Sequence, residues 1–117
     1  MQEPPIQGEQ ALIGQMQDCI DDCLNSHNVC LDTAMSLLQQ GGQADNVRIL
    51  LDCSEICLTA AHFMMRNSPL HGYTCQACAS VCTHCADLCS QIGQNDCANA
   101  CNASANSCQQ MVKMVAY

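Results

Sequence analysis

Apolar residues recur along the chain at three- and four-residue intervals, and turn-forming residues break the rhythm three times, at "QQGGQAD" (39–45), "RNSPL" (66–70) and "IGQND" (92–96). Gly41 and Gly93 suit the left-handed residue that commonly ends a helix. Ser68 followed by Pro69 reads as an N-cap with proline at the first helical position, and Asn95 or Asp96 starts the last segment. The stretches between are rich in Ala, Leu, Met and Gln and poor in β-branched and aromatic residues, which favours helix over strand. The pattern predicts helices over 9–39, 45–66, 70–92 and 95–115. Short loops make successive helices antiparallel neighbours, so the expected fold is all-α, an up-down-up-down antiparallel four-helix bundle. Residues 1–8, with Pro4 and Pro5, are expected to form a flexible N-terminal tail, and 9–117 a single domain.

One pattern repeats in every helix. The first has Cys19, Cys23 and Cys30; the third has Cys78, Cys82 and Cys89; the fourth has Cys97, Cys101 and Cys108. Each is CxxxCxxxxxxC. In the second helix Cys53 and Cys57 keep the spacing, and Met64, another sulfur, stands third. At about 100° per residue these offsets fall within about 40° of one another, so each triplet is a narrow stripe on one face. Cys75 and Cys85 join the stripe of the third helix, whose cysteines then recur at the alternating spacing of a coiled-coil seam. A seam faces partner helices, so the bundle is expected to have a cysteine-lined core. The first helix also carries an aliphatic stripe, Ile13, Ile20, Leu24, Leu31 and Leu38, suited to flank the core or to meet another subunit.

Composition sharpens this picture. Thirteen of 117 residues are cysteine, about a ninth, which is the range of disulfide and metal scaffolds. The N-terminus "MQEPPIQGEQ" has neither a basic start nor an apolar run, so the expected setting is cytoplasmic, with reduced thiols. No apolar stretch approaches the roughly 18 residues of a membrane span. Three basic residues against eleven acids, a formal net charge of −8, exclude a nucleic-acid partner. No convergent acid, base and nucleophile set is present, so an enzyme is not expected.

Three chemistries compete for the thiols. Disulfides would have to run between helices, would need oxidising conditions, and would leave one of thirteen cysteines unpaired. Zinc uses closed groups of four ligands, and although "CQAC" and "CTHC" have the spacing, both lie inside a helix instead of a knuckle turn. Cu(I) is soft and is satisfied by two or three thiolates or thioethers. Five i, i+4 pairs present such ligands: Cys19 with Cys23, Cys53 with Cys57, Cys78 with Cys82, Cys85 with Cys89, and Cys97 with Cys101. One Cu⁺ per thiolate leaves a neutral interior, whereas a tetrathiolate zinc site keeps a buried charge. The sequence therefore points to multiple Cu(I) ions per chain, about one per cysteine, with a disulfide-linked or zinc-binding helical structural module as the alternative.

Other ligands gather at one end of the expected bundle. The starts of helices one and three meet the ends of helices two and four there, bringing together Met16, Met64, His71 and Met111 close to the cysteine stripes as a candidate copper entrance. Leu37, Leu38, Ile49, Leu50 and Ile92 offer an apolar plug at the opposite end. His62 and His84 point away from the stripes and read as surface residues, and His27 sits at the edge of its stripe.

The four CxxxC-bearing helices, the dense "CQACASVCTHCADLC" and the absence of loop cysteines resemble the bacterial copper storage proteins over residues 9–115. That resemblance implies Cu(I) held along the interior by all thirteen cysteines, a homotetramer of bundles, and a role in sequestering copper for later use or protection. The implied partners are copper ions, with copper chaperones or small thiols as exchange partners, and the chain is similar to the cytosolic branch.

Overall fold

The computed structural model describes residues 7–114, with side chains from Ala11 onward. Four helices follow in order: α1 (Gln7–Gln40), α2 (Ala44–Met65), α3 (His71–Gln91) and α4 (Asn95–Met114). Every boundary lies within two residues of the expected one. Residues 1–6 of the expected tail lie outside the described residues, and α1 already includes positions 7 and 8.

The reversals follow from local chemistry. Gly41 has φ +79° and its N–H donates to Leu37 O at 3.1 Å, closing α1. At the end of α3, Gly93 (φ +78°) donates to Ser90 O at 3.3 Å, and Gln94 donates to Cys89 O at 2.8 Å. This bond pair satisfies carbonyls that a helix end leaves without partners. Asn67 does the same for α2 at φ +50°, with Asn67 N–H on Met64 O and Ser68 N–H on Phe63 O. Asn tolerates this conformation better than most residues. Ser68 departs from its expected role. Its Oγ accepts the N–H of Leu70 at 3.1 Å and its carbonyl accepts that of His71 at 3.2 Å, forming a short turn, and the α-helix proper begins only at His71.

α1 packs against α2 and α4, and α3 packs against the same two, which is the expected antiparallel bundle. Small residues set the spacing. Alanines such as Ala34, Ala60, Ala61, Ala79 and Ala105 are buried beside the cysteine stripes, so the backbones approach closely and the short cysteine side chains meet at the axis. Polar bonds fix the register on two sides. Ser54 Oγ donates to His27 O at 2.9 Å while His27 Nδ1 donates back to Ser54, joining α1 to α2; Ser107 Oγ donates to the Asp22 carboxylate, joining α4 to α1.

The apolar plug forms with one change. Leu37 and Leu50 are buried, Ile49 and Ile92 pack partly buried against them, and Val47 joins the group. Leu38 is 54% exposed. Adjacent helical residues point about 100° apart, so Leu37 and Leu38 cannot both face the axis. The aliphatic stripe of α1 divides likewise: Ile20 is buried and Leu24 half-buried, while Ile13, Leu31 and Leu38 face outward. No helix among the described residues is long and apolar enough to cross a membrane.

Candidate metal centre

Four stripes converge on the axis, and all thirteen cysteines are buried free thiols. Where the start of α3 meets the end of α2, Cys75 donates its S–H to Met64 Sδ at 3.8 Å. Cys108 of α4 lies 3.6 Å from both Cys19 and Cys23 of α1. At mid-height Cys57 is 3.3 Å from Cys82 and 3.7 Å from Cys78. Lower down, Cys53 reaches Cys82 at 3.7 Å and Cys101 at 3.8 Å, and Cys30 reaches Cys101 at 3.4 Å and Cys97 at 3.7 Å. A disulfide bond is about 2.05 Å long, so these are contacts between thiols and not bonds.

Three of the five i, i+4 pairs are completed by a thiol from a neighbouring helix. Cys19 and Cys23 group with Cys108, Cys53 and Cys57 with Cys82, and Cys85 and Cys89 with Cys97, each group with its sulfurs within 4.8 Å of one another. Cys78 and Cys82 stand 3.6 Å apart. A fourth group, Cys30, Cys53, Cys85 and Cys101, takes one thiol from every helix. Any of these groups can enclose a soft cation.

The thiols interact along the axis. Cys53, Cys78 and Cys82 favour the charged form of Cys57 and hold its pKa below the ordinary thiol value against the opposing effect of burial. Cys53 is pushed far up by its interactions with Cys101, Cys30, Cys57 and Cys82, and Cys78 by those with Cys108, Cys23 and Cys57; burial adds to both. Cys101 is lowered to about 5 by Cys30, Cys53 and Cys85. Cys75 is lowered to about 4 by Cys108 and Cys19, with a smaller contribution from His71.

The remaining sequence-designated ligands lie at the same end of the bundle as Cys75. Met64 and Met111 are buried on the axis side of α2 and α4. Met16 is half-buried and lines a groove of about 630 Å³ between the α1 and α2 ends, together with Leu12, Ile13, Ile20 and Met64. His71 is buried, its Nδ1 2.7 Å from the Ser68 carbonyl, to which it can only donate. In the neutral ring the lone pair then sits on Nε2, which is buried and has no hydrogen-bond partner. His62 and His84 are exposed, and His27 is held by Ser54.

Two residues in the column carried no expectation. Ser26 and Ser104 are fully buried among the sulfurs, with Ser26 Oγ 3.4 Å from Cys57 and Ser104 Oγ 3.4 Å from Cys23. Their signal in the sequence is positional: each lies three residues after one cysteine of its stripe and four before the next.

A helical bundle whose interior is a continuous set of reduced, mutually contacting thiols is a metal-binding bundle of the thiolate type. The chain belongs to the copper storage protein family, whose model matches residues 6–113. Solved structures agree. A crystal structure of a Nitrosospira multiformis protein superposes with a TM-score of 0.82 at 35% identity, covering 86% of this chain and 97% of that one. A mutant of Streptomyces lividans Ccsp superposes with a TM-score of 0.81 at 25% identity, covering 88% and 96%. The Bacillus subtilis protein YhjQ, described as an uncharacterized cysteine-rich protein, is 28% identical over 101 residues, 86% of this chain and 92% of the relative.

Proposed function

We propose that this protein binds and stores many Cu(I) ions along the bundle axis, about one per cysteine, for copper storage or detoxification. The observation that carries the reading is the thiol column itself: thirteen buried sulfurs drawn from all four helices, with neighbours 3.3–4.0 Å apart. Soft Cu⁺ takes two or three such ligands and cancels one thiolate charge per ion, which a chain of net charge −8 with three basic residues cannot do from its own side chains. All thirteen cysteines serve as ligands. Met64, His71, Met16 and Met111 form the entrance, where thioether sulfurs and the free Nε2 of His71 pass copper to Cys75 and the column below. The protein is a cargo binder and not an enzyme. Free thiols in this number persist in a reducing compartment, which supports a cytoplasmic setting with copper chaperones or small thiols as exchange partners. The outward stripe of Ile13, Leu31 and Leu38 supports assembly into a homotetramer, for which light scattering should return four times the 12.6 kDa chain mass.

One observation favours a second reading. The Cys30, Cys53, Cys85 and Cys101 group has four thiols, the ligand set of a structural zinc site. An anaerobic titration of the reduced chain separates the two. Storage gives saturation near one Cu(I) per cysteine against a competing chromophoric chelator. A single tight Zn²⁺ with only a few coppers bound would replace the storage reading with a structural site.

A further inference from the structure

The stripes share one register, and it has four rungs. In α3 they are Cys78, Cys82, Cys85 and Cys89, at offsets 0, 4, 7 and 11. At the third rung, where α3 has Cys85, α1 has Ser26, α4 has Ser104 and α2 has Ala60. We infer that Ser26 and Ser104 are vacant rungs of the sulfur ladder: positions that border the copper column and hydrogen-bond to its ligands, take no copper themselves, and thereby set the capacity of the store. The inference rests on the storage reading.

The geometry makes these positions part of the column. Ser26 Oγ lies 3.4 Å from Cys57, 3.8 Å from Cys101 and 3.9 Å from Cys30. Ser104 Oγ lies 3.4 Å from Cys23, 3.6 Å from Cys82, and 3.8 Å from both Cys57 and Cys78. These separations match those between the thiols, so a sulfur at either place would have as many sulfur neighbours as the native cysteines have. The hydroxyls do not follow the usual habit of helical Ser and Thr, which is to bond the carbonyl one turn back. Thr33, Ser80 and Thr83 on the bundle surface do so, with Val29, Gln76 and Ala79. Ser26 and Ser104 turn to sulfur instead.

Chemistry separates the two atom types. A hydroxyl oxygen is a hard donor that soft Cu(I) passes over, although it readily donates a hydrogen bond to a thiolate. Filling the interior does not demand the hydroxyl, since Ala60 occupies the same rung in α2 without one. Because Ser26 and Ser104 stand on adjacent helices, the α1–α4 wall has no thiol at mid-height. The group of Cys19, Cys23 and Cys108 is therefore linked to the lower groups through Cys78 on α3, which interacts with Cys23 and Cys108 and lies 3.7 Å from Cys57 and 3.6 Å from Cys82.

The test is the anaerobic Cu(I) titration of the full chain and its Ser26→Cys, Ser104→Cys, double-cysteine and double-alanine variants, after thiol counting and circular dichroism establish that each is reduced and helical. Each single cysteine variant should saturate one copper per chain above the parent, and the double variant two above it. The double-alanine variant should saturate with the parent. A cysteine variant with its extra reduced thiol but only the parent capacity overturns the inference, as does an alanine variant that loses copper, since oxygen would then be a ligand. A parent that saturates at a few coppers instead sinks the storage reading, and the parent titration alone reports that.

Discussion

His71 shows how much a single residue contributes at this site. Its Nδ1 is fixed on Ser68 O, and its Nε2 is buried without a partner, an arrangement that costs roughly 1–3 kcal/mol unless a ligand takes up the lone pair. Replacing His71 with Ala should therefore slow Cu(I) uptake several-fold in stopped-flow mixing, leave the capacity of the thirteen thiols intact, and leave the metal-free protein at least as stable. Met64→Leu conserves volume and should change stability by less than about 1.5 kcal/mol, yet slow uptake similarly because the thioether beside Cys75 is gone. An unchanged uptake rate in both variants would remove these residues from the entrance. Met64 is legible in the sequence because it takes a cysteine's place in a repeat. Ser26 and Ser104 escape a search for soft ligands, although their register is the same as that of Cys85, because only burial against sulfur distinguishes them from surface serines.

Among the elements, the helices and their breaks were the most legible part, since Gly41, Gly93 and the cysteine spacing each carry a local reason. Gly93 tests this. Its φ of +78° is costly for any residue with a Cβ, while the space around it is open. Gly93→Ala should destabilise the metal-free protein by about 1 kcal/mol in chemical denaturation, with copper capacity unchanged. Leu50, fully buried at the end of the bundle opposite Met64, tests the plug: Leu50→Ala should cost about 2–5 kcal/mol by cavity formation. Ser68 was less legible. "NSP" fits an N-cap, but the αL residue at Asn67 places a separate turn before α3, and that choice depends on how the α2 end closes.

For the whole molecule, the interaction of thiols in the column sets the pH behaviour of loading. Neighbouring thiols and burial push Cys53 and Cys78 far up, so a Cu⁺ bound there must displace their protons, whereas Cys57, Cys75 and Cys101 are lowered by their thiol neighbours and give up their protons more readily. Loading at pH 7 should release, on average, less than one proton per copper in an indicator-based measurement, and apparent affinity should fall as pH falls because protons compete for sulfur. Release of one full proton per copper would mean that the metal-free column is wholly protonated. Buried Cys and Ala faces pack without metal, so the reduced apo protein should give a helical circular-dichroism spectrum; a random-coil spectrum would make folding metal-dependent.

The sequence by itself determined the four helices, their antiparallel order, and the confinement of sulfur to one face of each, because helical periodicity is a local property of the chain. Only the tertiary structure decided which thiols meet. Cys108 closes on Cys19 and Cys23, four helices contribute one sulfur each at Cys30, Cys53, Cys85 and Cys101, and hydroxyls interrupt the α1–α4 wall. Those contacts depend on the axial offset between helices and on how closely the buried alanines let them approach. Neither is encoded in the spacing within any one segment.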